Sequence, residues 1–216
     1  DWRRAAQQVA LLTAQFHETS ALKLFLNKIA NGARSCAYGM PASGVWLFGD
    51  PGSGKTTALL EAQRRVEAMS DLDSEQPVLF LSLLPGPTMH SLVRDLLLKL
   101  NYPFANSRTF TERASLLFQA LKRRRVLVII LDEVHHVVEG NRSTNQVEVR
   151  DFLKRLLDET NVCLVLCGIP RATKLRDNDD ELASRLPADV TLSTNYSTAE
   201  GKAFVDAVLK GSPLPF

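Results

Sequence analysis

Gly49-Asp-Pro-Gly-Ser-Gly-Lys-Thr56 decides the reading of this chain. It satisfies every position of G-x-x-x-x-G-K-[ST], a loop whose glycines let backbone amides converge on phosphate oxygens. The context fits as well. An apolar run, Gly44–Phe48, precedes it and has the size of a buried strand. A stretch from Gly54 to about Met69 follows, with Ala58, Leu59, Ala62 and Val66 on one helical face. The helix start adds a positive dipole end to the cradle. A glycine-rich turn with an accidental lysine would need neither flank. The expected phosphate contacts are Gly49, Asp50, Pro51, Gly52, Ser53, Gly54, Lys55, Thr56 and Thr57. Lys55 is expected to reach the outer phosphates as a mobile charge, and the Thr56 hydroxyl to ligate magnesium.

Working outward, a second partner stands after the apolar run Val126–Leu131, where Asp132-Glu133 follows directly. A buried strand delivers carboxylates to its carboxyl edge, which is where open α/β sheets bind ligands. Asp132 then suits the magnesium ion, and Glu133 suits a general base for an attacking water. The second acid favours water as nucleophile, so hydrolysis of a nucleoside triphosphate is preferred to transfer onto another substrate. Catalysis of that kind is positioning and charge neutralisation, and an arginine from a neighbouring subunit is a usual device. Arg171, Arg176 and Arg185 are the candidates.

The rest of the chain reads as strands alternating with helices. Helical spacing marks Asp1–Ala30 through Leu22, Phe25, Leu26 and Ile29, and the breakers Asn31-Gly32 and Gly39-Met40-Pro41 predict a loop over Asn31–Ser43. Val78–Leu83 is a second strand and Val162–Leu166 a fourth, with a short fifth at Val190–Leu192. Helices are expected around Leu92–Leu100, after the capping pair Thr109/Glu112, around Val149–Leu157, and from Ser197 to about Leu209 after a second pair, Ser197/Glu200. Continuous apolar strands between helices imply a mainly parallel sheet covered on both faces, an α/β fold.

Composition narrows the classes. With 216 residues, 45% hydrophobic and 23% charged, the chain has the mix of a globular protein, not of a disordered, collagenous or disulfide-dense one. No apolar run approaches the roughly 20 residues of a membrane span. A net charge of +2 neither implies nor excludes nucleic acid. Three cysteines, Cys36, Cys163 and Cys167, argue against a disulfide framework and for a reducing, cytoplasmic compartment. Cys163 and Cys167 read as core. The start at Asp1 suggests a piece of a longer protein. Adjacent His135 and His136 would point to opposite sides of an extended strand and share a metal poorly, so packing or a polar contact near the γ-phosphate is the favoured reading. Lys122-Arg-Arg-Arg125 is the strongest basic run, and it reads more simply as a helix end complementing its dipole than as a DNA patch.

The order of phosphate loop, strand with Asp-Glu, fourth strand and Leu-Ala-Ser-Arg-Leu before a fifth strand resembles the AAA+ ATPases. More narrowly, Leu131-Asp-Glu-Val-His-His-Val-Val138, Arg150-Asp-Phe-Leu-Lys-Arg-Leu-Leu157, Val165-Leu-Cys-Gly-Ile-Pro170 and Glu181-Leu-Ala-Ser-Arg-Leu186 are similar to the TniB/TnsC transposition ATPases, over about Leu22 to Leu192. The resemblance implies a P-loop NTPase of three layers around a five-stranded sheet. It divides the chain into an N-terminal helix and linker (1–43), an ATPase core (44–196) and the start of a largely absent helical lid (197–216). It implies ATP and Mg2+ as ligands and an assembly of identical subunits, ring or filament, on double-stranded DNA. The transposase and a target selector of the TniQ type are the implied protein partners. It makes Arg185 the arginine that reaches the next subunit's nucleotide. Contacts to the DNA backbone fall on Thr88, His90, Arg94, Arg108 and Thr109. One departure is notable: the fourth strand ends Cys167-Gly168-Ile169, where these ATPases commonly carry a polar sensor, so slow hydrolysis is expected. The alternatives are an initiator or helicase-loader ATPase and a nucleotide-gated scaffold with little turnover. Adenine contacts are expected near Phe16-His17 or in the loop after it.

Overall fold

The computed structural model describes residues 18–41, 44–69, 71–102, 109–139, 143–177 and 179–193, with 202 and 206 beyond them. Arg108 and Phe16-His17 lie outside the described residues, as does the helix expected from Ser197 apart from Lys202 and Asp206, both helical. In chain order the elements are α1 (Ser20–Ala37), β1 (Val45–Gly49), α2 (Lys55–Glu67), β2 (Val78–Ser82), α3 (Met89–Lys99), α4 (Phe110–Arg123), β3 (Val128–Asp132), α5 (His135–Glu139), α6 (Ser143–Glu159) and β4 (Cys163–Gly168). A 3-10 turn (Pro170–Thr173), α7 (Lys174–Asp177), α8 (Asp180–Arg185) and β5 (Ala188–Leu192) complete the series.

The five strands form one sheet in the order β2-β3-β4-β1-β5, every pairing parallel. Side chains alternate across a strand, and here the alternation divides the core in two. Trp46, Phe48, Leu79, Leu81, Ile129, Leu131, Leu164 and Leu166 face α3, α4, α6 and α8. Val45, Leu47, Val78, Val128, Ile130, Cys163, Val165 and Cys167 face α1 and α2. Both faces are dry, which is why strands β1, β3 and β4 are buried along their whole length and read as unbroken apolar runs. The result is a three-layer α/β/α arrangement, as the alternation predicts.

The loop expected over Asn31–Ser43 is corrected: α1 runs through Asn31-Gly32 to Ala37. Leu22, Phe25, Leu26, Ile29, Gly32, Ala33 and Cys36 form one buried stripe, so packing outweighs the roughly 1 kcal/mol that glycine costs inside a helix. Strand ends shift too. β3 starts two residues later than the apolar run and includes Asp132, which pairs with Ser82. β4 continues past Leu166 through Gly168, and β5 starts at Ala188. All three cysteines are free and buried. Burial pushes the Cys36 thiol up to about 11 and the Cys163 thiol to about 12, which makes both inert.

Leu96, fully buried between α3 and the sheet, is a direct test of the first core face. Leu96→Ala is expected to lower the unfolding free energy by about 2–5 kcal/mol, read as a fall in the urea midpoint with an unchanged slope.

Candidate nucleotide site

β1 lies between β4 and β5, so its last residue, Gly49, emerges in the middle of the carboxyl edge of the sheet. Glycine is required there. A Cβ would lie 2.3 Å from Ser53 Oγ and 2.8 Å from the Leu192 carbonyl oxygen. Beyond it the chain turns back through Gly52 and Gly54, whose φ angles of +80° and +85° are in the left-handed region that favours glycine. A Cβ on either would meet nothing within 4 Å, so both border open space. Gly54 is also the N-cap of α2, and no side chain caps that helix. By contrast α3 and α4 carry capping boxes, from Thr88 with Ser91 and from Thr109 with Glu112. The first amides of α2 therefore face the loop interior with no side chain to accept from them. Ser53 Oγ is buried and without a hydrogen bond, a second unmet polar group in the same hollow.

Lys55 is almost completely buried, and its ammonium donates to the carbonyls of Gly49 at 2.8 Å and Asp50 at 2.9 Å. The charge is thus held against the loop, at the first residue of α2. Thr56 Oγ1 donates to Asp132 Oδ2 at 3.4 Å, bringing α2 and the tip of β3 together. These two oxygens, a hydroxyl and a carboxylate, are the hard donors that a magnesium ion takes. Asp132 Oδ1 in turn accepts from the Glu133 amide at 2.8 Å, and the Asp132 carboxylate is buried.

Glu133 carries a feature that its sequence position gave no hint of: its φ is +58°, costly for a residue other than glycine. The turn aims its carboxylate toward α5, where Glu133 Oε2 lies 3.1 Å from His135 Nδ1. That contact is close but misaligned, and the buried Nδ1 makes no hydrogen bond. His135 and His136 do not lie on a strand. They open the short helix α5, their ring centroids 4.4 Å apart, which corrects the extended geometry expected for them. β3 gives way to a helix because Glu133 takes a left-handed backbone, φ +58°, and the His136 and Val137 amides donate back to the Glu133 and Val134 carbonyls at 3.0 and 3.1 Å.

Cys167 is core, as expected, yet it also sits at the site. Burial pushes its thiol well above the ordinary range, and the Asp132 carboxylate beside it adds to the shift. A neutral thiol thus stands at the end of β4 where a polar sensor was looked for.

The arginines separate. Gly44 N–H donates to the Arg185 carbonyl at 3.2 Å, so Arg185 lies beside the start of β1. At about 3.3 Å per residue, the strand puts it about 16 Å from Gly49, at the other end of the sheet. Its guanidinium is held by both oxygens of Asp158, at 3.0 and 3.1 Å, and by Glu181 at 3.0 Å. Arg176 pairs with Asp189 and lies over Trp46 and Phe48, a packing role. Arg171 is exposed beside Glu139 at 3.5 Å.

The candidate DNA residues fall at two helix starts. His90 of α3 stacks on Phe110 of α4 at 4.5 Å, which brings the capped N-termini at Thr88 and Thr109 together. Arg94 is paired with Asp95 at 2.7 Å. In the basic run, Arg125 pairs with Asp73 and Arg124 lies 3.4 Å from Gln76, so two of its four charges serve the packing of the preceding loop.

A family model described as "Bacterial TniB protein" matches residues 10–194. No curated protein matches by sequence. Among solved structures, the Aeropyrum pernix ORC2 protein, in ADPNP and ADP complexes, superposes with a TM-score of 0.69 at 16% identity, covering 93% of this chain and 55% of that one. The Aeropyrum pernix ORC1 protein in complex with DNA gives 0.63 at 19% identity, covering 89% and 50%. AMPPCP-bound DnaA from Aquifex aeolicus gives 0.57 at 16% identity, covering 93% and 55%. The chain thus spans about half the length of these structures and shares the P-loop AAA+ ATPase fold with them. Among the described residues no helix is long and apolar enough to cross a membrane.

Gly49→Ala is expected to weaken nucleotide binding by about tenfold or more, equivalent to ~1.4 kcal/mol, because Ser53 and β5 must shift to admit the methyl. Titration with a fluorescent nucleotide analogue reads this, and unchanged affinity would show that the hollow is not the phosphate site.

Proposed function

The chain belongs to the TniB family, and from that membership together with the phosphate-loop geometry we propose that it is an ATP-dependent regulator of DNA transposition. In this reading it assembles with copies of itself on double-stranded DNA, ties a TniQ-type target selector to the transposase, and hydrolyses ATP to ADP and phosphate. The observation that carries the nucleotide part is the uncapped start of α2 facing a glycine hollow, with Lys55 buried at its rim and Asp132 3.4 Å from Thr56.

The residues divide the work. Amides from Gly52 to Thr57 receive the phosphate oxygens, and Lys55 exchanges its loop carbonyls for the outer phosphates. Thr56 and Asp132 hold Mg2+, which supplies charge neutralisation on the triphosphate. Glu133, turned by its left-handed backbone, accepts the proton of the attacking water. Cys167, a neutral buried thiol, positions no water, so turnover is slow. Arg185 cannot serve its own protomer's loop from the far end of the sheet. It leaves Asp158 and Glu181 to reach the triphosphate bound by the next subunit. The core for this chemistry is residues 44–196, preceded by a helix and linker (1–43) and followed by the start of a lid (197–216).

The DNA part rests on Thr88, His90, Arg94, Arg108 and Thr109. His90 against Phe110 holds the starts of α3 and α4 together, so hydroxyl, imidazole and guanidinium groups that suit backbone phosphates without base readout lie near one another. Each subunit's contact is weak, and a polymer adds them along one duplex. The DNA complex of the Aeropyrum pernix ORC1 protein keeps an initiator-type ATPase as a second reading.

Three variants test the proposal on duplex DNA with ATP. Lys55→Ala is expected to abolish nucleotide-dependent assembly seen by electron microscopy. Glu133→Gln is expected to assemble and persist, with phosphate release lowered by about 10²–10⁴-fold. Arg185→Ala is expected to bind ATP normally while losing about 10³-fold or more in turnover, restored in part by mixing with Lys55→Ala subunits that still donate their arginine. Equal assembly of Lys55→Ala and the unaltered chain overturns the nucleotide reading, and full turnover in Arg185→Ala moves the finger to Arg171. Capture of a replicative helicase in place of a transposase favours the initiator-type reading.

A further inference from the structure

The turn of α5 gathers a group of donors that the nucleotide chemistry does not use. His135, His136 and Glu139 each place one ligand atom within 4.8 Å of the others. Their spacing, i, i+1 and i+4, brings them to one end of a single helical turn. On bonds of about 2.0–2.1 Å, a tetrahedral ion separates its ligand atoms by about 3.3 Å. His136 Nδ1 and Glu139 Oε2 are already 2.9 Å apart. The rings of the two histidines, 4.4 Å apart and tilted by 42°, need only side-chain rotation to converge.

A second observation points the same way. The His135 side chain is nine-tenths buried, and its Nδ1 has no hydrogen bond. A buried imidazole nitrogen that makes no hydrogen bond costs free energy that a metal bond removes. Glu133 Oε2, 3.1 Å from that same Nδ1, is a further carboxylate oxygen beside the ring. His136 and Glu139 remain partly open to solvent, which gives an ion its way in. Arg171, 3.5 Å from Glu139, is the charge that the ion displaces.

We infer that His135, His136 and Glu139 form a transition-metal site of the zinc class, separate from the magnesium cradle at Thr56 and Asp132. Two imidazoles and one carboxylate suit Zn2+ or Co2+, whereas magnesium takes oxygen donors and keeps its water. Three protein ligands leave a fourth position for water. An ion there staples α5 and holds the imidazole against which Glu133 rests. The inference does not depend on the nucleotide reading, because metal uptake is measured without nucleotide.

The test is a titration of the full chain with Co2+ in excess Mg2+, followed by its visible ligand-field absorption, and competition for Zn2+ against a chromophoric chelator. One equivalent per chain is expected, with Zn2+ displacing Co2+. His136→Ala and Glu139→Ala, both near the surface and outside the phosphate hollow, are each expected to weaken uptake by about tenfold or more without lowering the metal-free melting temperature. Failure of the unaltered chain to compete with the chelator overturns the inference. So does uptake that both variants retain in full, since the ion would then sit elsewhere.

Discussion

Gly49 can carry no side chain, and much of the molecule follows from that. The last residue of β1 is pressed between Ser53 and the end of β5. This close approach lets the loop fold back under itself and start α2 with its amides facing inward. Any Cβ at this point would lift the loop off the sheet edge and part Thr56 from Asp132, the contact joining α2 to β3. The sheet order serves the same end. With β4 between β1 and β3, the phosphate loop, the Cys167 thiol and the Asp132 carboxylate arrive at neighbouring points on one edge.

Much of this was legible in the sequence because the determining signals are local. The loop motif names its own backbone, since only glycine tolerates φ angles of +80° and +85° in succession at small cost. The apolar runs became strands within about two residues of their expected ends, because a strand buried on both faces is filled almost entirely by apolar side chains. The capping pair at Thr109 and Glu112 formed as spaced. Thr88 also suits a helix cap by residue type, and its box is completed by Ser91, not by a glutamate or glutamine.

What was not legible depended on contacts between distant segments. Asn31-Gly32 reads as a breaker in isolation, yet the underside of the sheet holds α1 continuous through it. His135 and His136 read as part of a strand, because nothing nearby in sequence announces that Glu133 will take a left-handed backbone and stop β3. The contact of Glu133 with a buried imidazole has the same origin. Arg185 was chosen among three arginines by resemblance. Its position at the far end of the sheet from its own phosphate loop, bound to Asp158 and Glu181, appears only once β5 is seen to run parallel to β1.

The bare first turn of α2 has a thermodynamic consequence. Elsewhere Thr19, Thr88, Thr109 and Asp179 close helix starts with their own oxygens, each such closure being worth about 1 kcal/mol. At α2 that oxygen is missing from the polypeptide and has to arrive with a guest. An anion settling there finishes the helix as well as occupying it. The cohesion of the whole sheet edge is therefore linked to the concentration of whatever fills the hollow, and a preparation stripped of phosphates is a less durable molecule than the same chain loaded.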